Sequence, residues 1–228
     1  QLTDFLFWQK VANDHTLYAA LETESTFNLA QWPIKNPYAK QPTLASRAAY
    51  SALITPQHKK QLFSQNALDP LPIASLSKLM TAVIAAEQYG LQDQVIVSKT
   101  AIETTGEAGG LKVGEILTVR ELLYLLLIQS SNDAAQTLAE KAGEEQFLQW
   151  MQEKARELNL EATVFQNASG LDIKDIPSNT SSGADLIHLA PYIIQTHPEI
   201  LSILGTESIF FKSPDGTEHH LQSTNELL

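Results

Sequence analysis

Pro72-Ile-Ala-Ser-Leu-Ser-Lys-Leu-Met-Thr-Ala82 decides the fold, because this stretch starts a helix whose first turn carries reactive side chains. Apolar residues continue beyond it at spacings of three and four, the period of an amphipathic helix. Gly90 then ends the pattern. The sequence therefore predicts a helix over Leu76–Tyr89, with Ser75 at its amino end.

Ser75 and Lys78 have the spacing of a nucleophile and its base. A serine hydroxyl is a poor nucleophile until a nearby base takes its proton. Residues three apart share one face of a helix, whereas Ser77 points elsewhere. The positive amino end of the helix disfavours a protonated ammonium and stabilises a developing oxyanion. We therefore predict Ser75 as the nucleophile and Lys78 as the base.

A second motif, Ser130-x-Asn132, strengthens this interpretation. S-x-x-K alone is expected about once by chance in a chain of this length. The second motif follows an apolar helix, where an irregular break could direct polar side chains into a cleft. Ser130 could pass a proton between Lys78 and a leaving amine, and Asn132 could hold a substrate amide. Ser223-Thr-Asn225 also matches S-x-N, but no such helix precedes it, so we interpret that match as structural.

The remaining pattern indicates an α+β chain. Thr118 and Glu121 form a capping box at the start of an apolar helix, which we expect to be central and buried. The other predicted elements are a strand over Ala48–Ile54 paired with Gln61–Gln65, a helix capped by Asp133 that runs through Ala142, a helix over Glu144–Leu158, a helix over Gly183–Thr196 that is closed by His197-Pro198, and a hairpin joining Phe210–Lys212 to His219–Gln222.

Composition excludes several classes of protein. The 228 residues suffice for one sizeable domain, and the net charge of −11 argues against a nucleic-acid or anionic-lipid partner. Cysteine is absent, which excludes disulfides and thiolate chemistry. We expect no cofactor and no metal: His219 and His220 are adjacent in a strand and so point to opposite faces.

Residues 1–42 have no clear period and are interpreted as a lead-in or linker to a domain over 43–228. We expect that any leader or membrane anchor has been removed from a chain that starts at Gln1.

Ser75–Lys78 together with Ser130–Asn132 resembles the serine D,D-peptidase and β-lactamase superfamily. The flanking sequences are similar to D-alanyl-D-alanine carboxypeptidases of the low-molecular-mass penicillin-binding class, and the resemblance covers residues 43–228. The segments that carry it, in the family's order, are Pro72–Ala82, Leu126–Ala135, Asn167–Leu171, Ser181–Asp185 and Ser223–Leu228.

The resemblance implies both a fold and an activity. The fold would be β-lactamase/D,D-peptidase-like, with an antiparallel sheet packed against a mostly helical subdomain. Ser75 would form an acyl-enzyme with the D-Ala-D-Ala end of a peptidoglycan stem peptide, and penicillins would acylate the same serine. Such a protein acts outside the cytoplasmic membrane.

The third motif of the superfamily, K-T-G, is absent. Lys99-Thr-Ala101 and Lys112-Val-Gly114 are partial matches, but they precede Ser130. We expect the C-terminal strands that carry this motif to be missing after Leu228. One alternative is an inactive peptidoglycan-binding or regulatory relative. Another is a class A-like β-lactamase, which would need E-x-x-L-N. The nearest string, Lys154–Asn159, has its glutamate two positions late.

Overall fold

The computed structural model describes residue 40 and residues 42–55, 59–103, 110–172 and 179–226. The chain divides into two units, residues 1–44 and 45–228. Apart from Lys40 and Pro42, the predicted lead-in over residues 1–42 lies outside the described residues, so its boundary stays a prediction. The second unit contains every element below.

Eight strands of the described residues form four two-stranded antiparallel sheets. The two longer hairpins match the predicted positions to within two residues. The shorter pairs were not predicted, because two or three residues are too few to show alternation. The pairs are β1 (Ala49–Ile54) with β2 (Lys59–Gln65), β3 (Leu71–Pro72) with β6 (Thr180–Ser181), β4 (Gln94–Ile96) with β5 (Ile116–Thr118), and β7 (Ser208–Lys212) with β8 (Glu218–Gln222).

Seven α-helices complete the described part of the chain. Two of them were not predicted; the helix that begins at Pro198 is one, because its proline was interpreted as a stop although proline is well suited to the first helical position. The helices are α1 (Ser77–Gln88), α2 (Lys99–Ile102), α3 (Val119–Ile128), α4 (Asn132–Glu140), α5 (Glu144–Glu157), α6 (Gly183–Thr196) and α7 (Pro198–Leu204). The α+β fold class is therefore confirmed.

Helix α3 lies at the centre of the core, as its sequence predicts. Leu122, Leu123 and Leu125 are fully buried. The predicted capping box is present: the Thr118 hydroxyl accepts a hydrogen bond from the Glu121 backbone N–H, and the Glu121 carboxylate accepts one from the Thr118 backbone N–H. Both bonds satisfy donors that the first turn of a helix otherwise leaves unpaired.

The start of α4 differs from the prediction. Ser131, and not Asp133, is the N-cap residue: its buried hydroxyl accepts a hydrogen bond of 3.0 Å from the Ala134 backbone N–H. Ser131, Asn132 and Asp133 are all good cap residues, so composition alone could not select among them. The earlier start makes Asn132 the first residue of the helix, which fixes the direction of its side chain.

A polar cluster holds the carboxyl-terminal end of α1 against α5 and α6. The Glu87 carboxylate accepts a hydrogen bond from the Tyr192 hydroxyl and forms an ion pair of 3.0 Å with Lys154. The His197 ring nitrogen Nε2 lies 3.3 Å from the same carboxylate. Burial alone would raise the pKa of Glu87, but the hydrogen bonds from Tyr192, Lys154 and His197 outweigh burial and hold it below its usual value.

Glu87→Gln tests the contribution of this cluster. A carboxyl group with a lowered pKa stabilises the fold at pH values above its unfolded pKa of 4.5, and this contribution is lost as the pH falls through the folded pKa. We expect the substitution to lower the free energy of unfolding at pH 7 by about 1–2 kcal/mol. The free energy of unfolding should also fall less steeply below pH 4.5 in the variant than in the wild type. Urea titrations across this pH range measure both effects. Glu145→Gln, at an exposed site on α5, is the control, and an equal effect there would contradict the assignment.

Candidate active site

Ser75 lies in a single 3₁₀ turn, Ala74–Leu76, that links β3 to α1. The turn precedes the α-helix, so Ser75 stands just ahead of the helix rather than within it. Ala74 has a φ of 44°, in the left-handed region that non-glycine residues rarely occupy. This conformation turns the chain sharply after β3 and leaves the Ser75 side chain exposed. Strained backbone of this kind is frequent at functional sites.

Lys78 lies one turn further on and points back towards Ser75. Its side chain is buried, with 3% of its surface exposed. The amine Nζ is 2.9 Å from Ser75 Oγ, 3.2 Å from Ser130 Oγ and 2.8 Å from Asn132 Oδ1. The structure therefore brings all four of the predicted site residues together around one amine.

Ser130 reaches the amine because the backbone reverses between α3 and α4. Ser130 has a φ of 58°, again in the left-handed region, and the next N–H, that of Ser131, donates to the Leu125 carbonyl over 3.1 Å. The reversal lets Ser130 and Asn132 converge on Lys78 from a direction that a continuous helix could not provide.

Ser77 and the second S-x-N match, Ser223-Thr-Asn225, make structural contacts. The Ser77 hydroxyl is buried and donates to the Ala74 carbonyl over 2.7 Å, so it points away from Lys78 as expected. In the second S-x-N match, the Thr224 backbone N–H donates to the Ile128 carbonyl at the end of α3. That match contributes backbone packing near the α3–α4 reversal.

A cleft of about 320 Å³ opens in front of Ser75. Part of its lining consists of the site residues described above. Gly170, Leu171 and Asp172 were not assigned to the site from the sequence, although Asn167-Ala-Ser-Gly170 is a turn signal that could have indicated them. The residues lining the cleft are Ala74, Ser75, Ser130, Asn132, Gly170, Leu171 and Asp172.

This arrangement can transfer a proton between two hydroxyl groups. Lys78 Nζ is within hydrogen-bond distance of Ser75 Oγ and Ser130 Oγ, so a neutral amine can take the proton of one and return it through the other. Because Asn132 Oδ1 accepts from Lys78, the Asn132 atom that suits a carbonyl oxygen in the cleft is Nδ2. The geometry is that of an activated serine next to a group that can hold an amide.

The two adjacent histidines point to opposite faces of β8, as the strand pattern predicts. His219 is buried and pairs with the buried carboxylate of Glu115, which joins β8 to the loop before β5. His220 is exposed on the other face of β8. Within the described ranges, three or more potential metal ligands do not cluster anywhere. Likewise, the helices of the described residues are all too short or too polar to cross a membrane.

The chain is similar in sequence or in structure to known proteins, of which three are described here. The chain is 31% identical over 192 residues to D-alanyl-D-alanine carboxypeptidase DacF of Bacillus subtilis. The aligned region covers 81% of this chain and 48% of that protein. It is 31% identical over 201 residues to a D-alanyl-D-alanine endopeptidase of Pseudomonas aeruginosa, covering 84% and 62% of the two chains. The cefotaxime-bound structure of penicillin-binding protein D2 of Listeria monocytogenes has a TM-score of 0.67 at 32% identity, covering 82% and 76%.

The chain spans about half the length of the Bacillus relative and 62% of the Pseudomonas relative. A family model described as D-alanyl-D-alanine carboxypeptidase matches residues 36–228, which include the Ala74–Leu76 turn, the α3–α4 reversal and the cleft residues Gly170–Asp172. The chain therefore belongs to the D-alanyl-D-alanine carboxypeptidase family.

Proposed function

We propose that the protein is a serine D,D-carboxypeptidase that removes the terminal D-alanine of peptidoglycan stem peptides through an acyl-enzyme on Ser75. The observation that carries this proposal is the buried amine of Lys78, which contacts the hydroxyls of Ser75 and Ser130 and the amide of Asn132. Membership of the family supports the substrate class.

The acylation step follows from these contacts. Neutral Lys78 takes the proton of Ser75, whose Oγ forms a bond to the carbonyl carbon of the penultimate D-alanine. The proton then passes from Lys78 through Ser130 to the nitrogen of the leaving D-alanine as the peptide bond breaks. Asn132 Nδ2 holds the substrate's amide oxygen during the step. Water then hydrolyses the ester, which releases the shortened peptide and restores the serine.

Penicillins and related β-lactams acylate Ser75 by the same route, because their strained ring amide presents a carbonyl carbon to the serine. The similar Listeria protein has been solved in a cefotaxime-bound form, which supports this part of the proposal. Because peptidoglycan lies outside the cytoplasmic membrane, we place the protein's activity there. The net charge of −11 gives no support for a nucleic-acid partner.

Covalent labelling with a fluorescent penicillin tests the nucleophile and its base. We expect the protein, in the form its own cell makes, to be labelled on Ser75, and Ser75→Ala to abolish the label. Lys78→Ala should slow labelling by about 100-fold or more, because it removes the proton acceptor. Mass spectrometry locates the adduct, and in-gel fluorescence over time gives the rate.

Ser202→Ala is the matched control, because Ser202 is an exposed serine on α7. This variant should be labelled at the same rate as the wild type. A protein that stays unlabelled under conditions that label a reference carboxypeptidase would favour the inactive peptidoglycan-binding relative. A label that forms and is hydrolysed within seconds would instead favour a β-lactamase.

An endopeptidase is the second candidate, because the Pseudomonas relative that bears that name is similar over 84% of this chain. Both activities break a bond on the carboxyl side of a D-alanine, and they differ in the leaving amine. We expect a stem pentapeptide to lose D-alanine faster than a cross-linked muropeptide dimer is split into monomers. Chromatography of both reactions gives the two rates, and Ser75→Ala should abolish both. Faster splitting of the dimer would replace the carboxypeptidase assignment by the endopeptidase.

A further inference from the structure

The segment Asn167–Leu171, which we call the Asn167 turn, is built around one side chain. Asn167 Oδ1 accepts hydrogen bonds from the backbone N–H groups of Gly170, over 2.6 Å, and Ser169, over 3.2 Å. Asn167 Nδ2 donates to the Leu171 carbonyl over 2.8 Å. A single amide therefore fixes the backbone of the whole turn, as Asx turns do elsewhere.

Two further side chains attach the Asn167 turn to the elements that flank the nucleophile. Asn179 donates through Nδ2 to the Asn167 carbonyl, over 2.8 Å, and its own carbonyl accepts from the Ile73 backbone N–H, over 3.2 Å. The buried hydroxyl of Thr81, on α1, donates to the Ala168 carbonyl over 2.6 Å. The turn is thus linked through Asn179 to Ile73, the residue before Ala74, and directly to the helix that carries Lys78.

Gly170 brings the Asn167 turn into direct contact with Ala74. Its φ is 83°, and a Cβ atom added there would overlap the carbonyl group of Ala74. The same carbonyl accepts the hydrogen bond from Ser77. The peptide that follows the left-handed Ala74 is therefore held both by contact with Gly170 and by the hydrogen bond from Ser77, the first residue of α1.

This contact matters because Ala74 has another conformation available to it. An alanine relaxes readily from the left-handed to the right-handed region, and that change would rotate the Ala74 carbonyl and move Ser75 with it. The Ala74 carbonyl lies directly against Gly170, so it has no room to move further in that direction. Nothing in the Ser75–Lys78 hydrogen bond alone would prevent the change.

We propose that the Asn167 turn is a positioning device for the nucleophile, with Gly170 and Asn167 as its positioning residues. The turn holds Ala74 in the left-handed conformation and so keeps Ser75 Oγ within reach of the Lys78 amine. Its effect on activity rests on the proposed function, whereas its effect on the position of Ser75 does not.

Gly170→Ala, compared with Gly143→Ala, tests the contact. Gly143 has a φ of 90° with open space where a Cβ would stand, so both variants place alanine at a positive φ and only one meets Ala74. For a slowly reacting penicillin, we expect the acylation rate constant of Gly170→Ala to fall about 10- to 100-fold, since a shift of about 1 Å can cost that much. The dissociation constant of the non-covalent complex should change by less than about twofold, and Gly143→Ala should react like the wild type.

Asn167→Ala and Asn167→Asp provide a second comparison, should Gly170→Ala fail to fold. Aspartate keeps the acceptor oxygen that binds the N–H groups of Ser169 and Gly170, whereas alanine removes it. We expect the aspartate variant to retain most of the acylation rate and the alanine variant to lose about 10-fold or more. Thermal unfolding, recorded alongside, ensures that rates are compared at a temperature where each variant is folded.

Two results would overturn the proposal: equal acylation rates in the Gly170 and Gly143 variants, or losses that only follow the fraction of unfolded protein. Crystal structures of these two variants test the positioning role without relying on the proposed function, because they measure the position of Ser75 and not its activity. The distance of 2.9 Å between Ser75 Oγ and Lys78 Nζ should lengthen beyond hydrogen bonding in Gly170→Ala and stay unchanged in Gly143→Ala. If penicillin does not label the wild type, the proposed function fails, and this distance alone decides the positioning role.

Discussion

The structure depends on one buried amine. Lys78 is almost completely removed from solvent, and an amine in that position is tolerated only where oxygen atoms surround it. Those oxygens come from three places in the chain: the turn before α1, the reversal after α3 and the first residue of α4. Helices α1, α3 and α4 must therefore pack in one arrangement, and the apolar core around α3 supplies the free energy that holds them there.

Two left-handed backbone conformations occur beside this amine. Ala74 and Ser130, which both line the cleft, are left-handed residues without the freedom of glycine. Each is held by buried contacts of its neighbours: the carbonyl of Ala74 by Ser77 and Gly170, and the reversal at Ser130 by the bond from Ser131 to Leu125. The surrounding packed elements offset the free-energy cost of these strained conformations, and the strain positions the side chain of Ser75.

The sequence predicts what depends on local pattern. The capping box of Thr118 and Glu121 and the bounds of α6 follow from the residues alone, and the motif residues around Lys78 do converge in the structure. Prediction failed where the deciding partner is far along the chain. The pairing of β3 with β6 joins Leu71 to Ser181, and the carbonyl of the left-handed Ala74 lies against Gly170.

The same long separations determine when the site can exist during synthesis of the protein. Lys78 meets Asn132 across 54 positions of sequence, and Thr81 meets Ala168 across 87. Contacts between such distant residues form late, because the intervening chain must first be made and ordered. On the proposed function, a nascent chain that has not yet reached the Asn167 turn would carry Ser75 as an ordinary serine. Its reactivity would be acquired only once these distant residues have met.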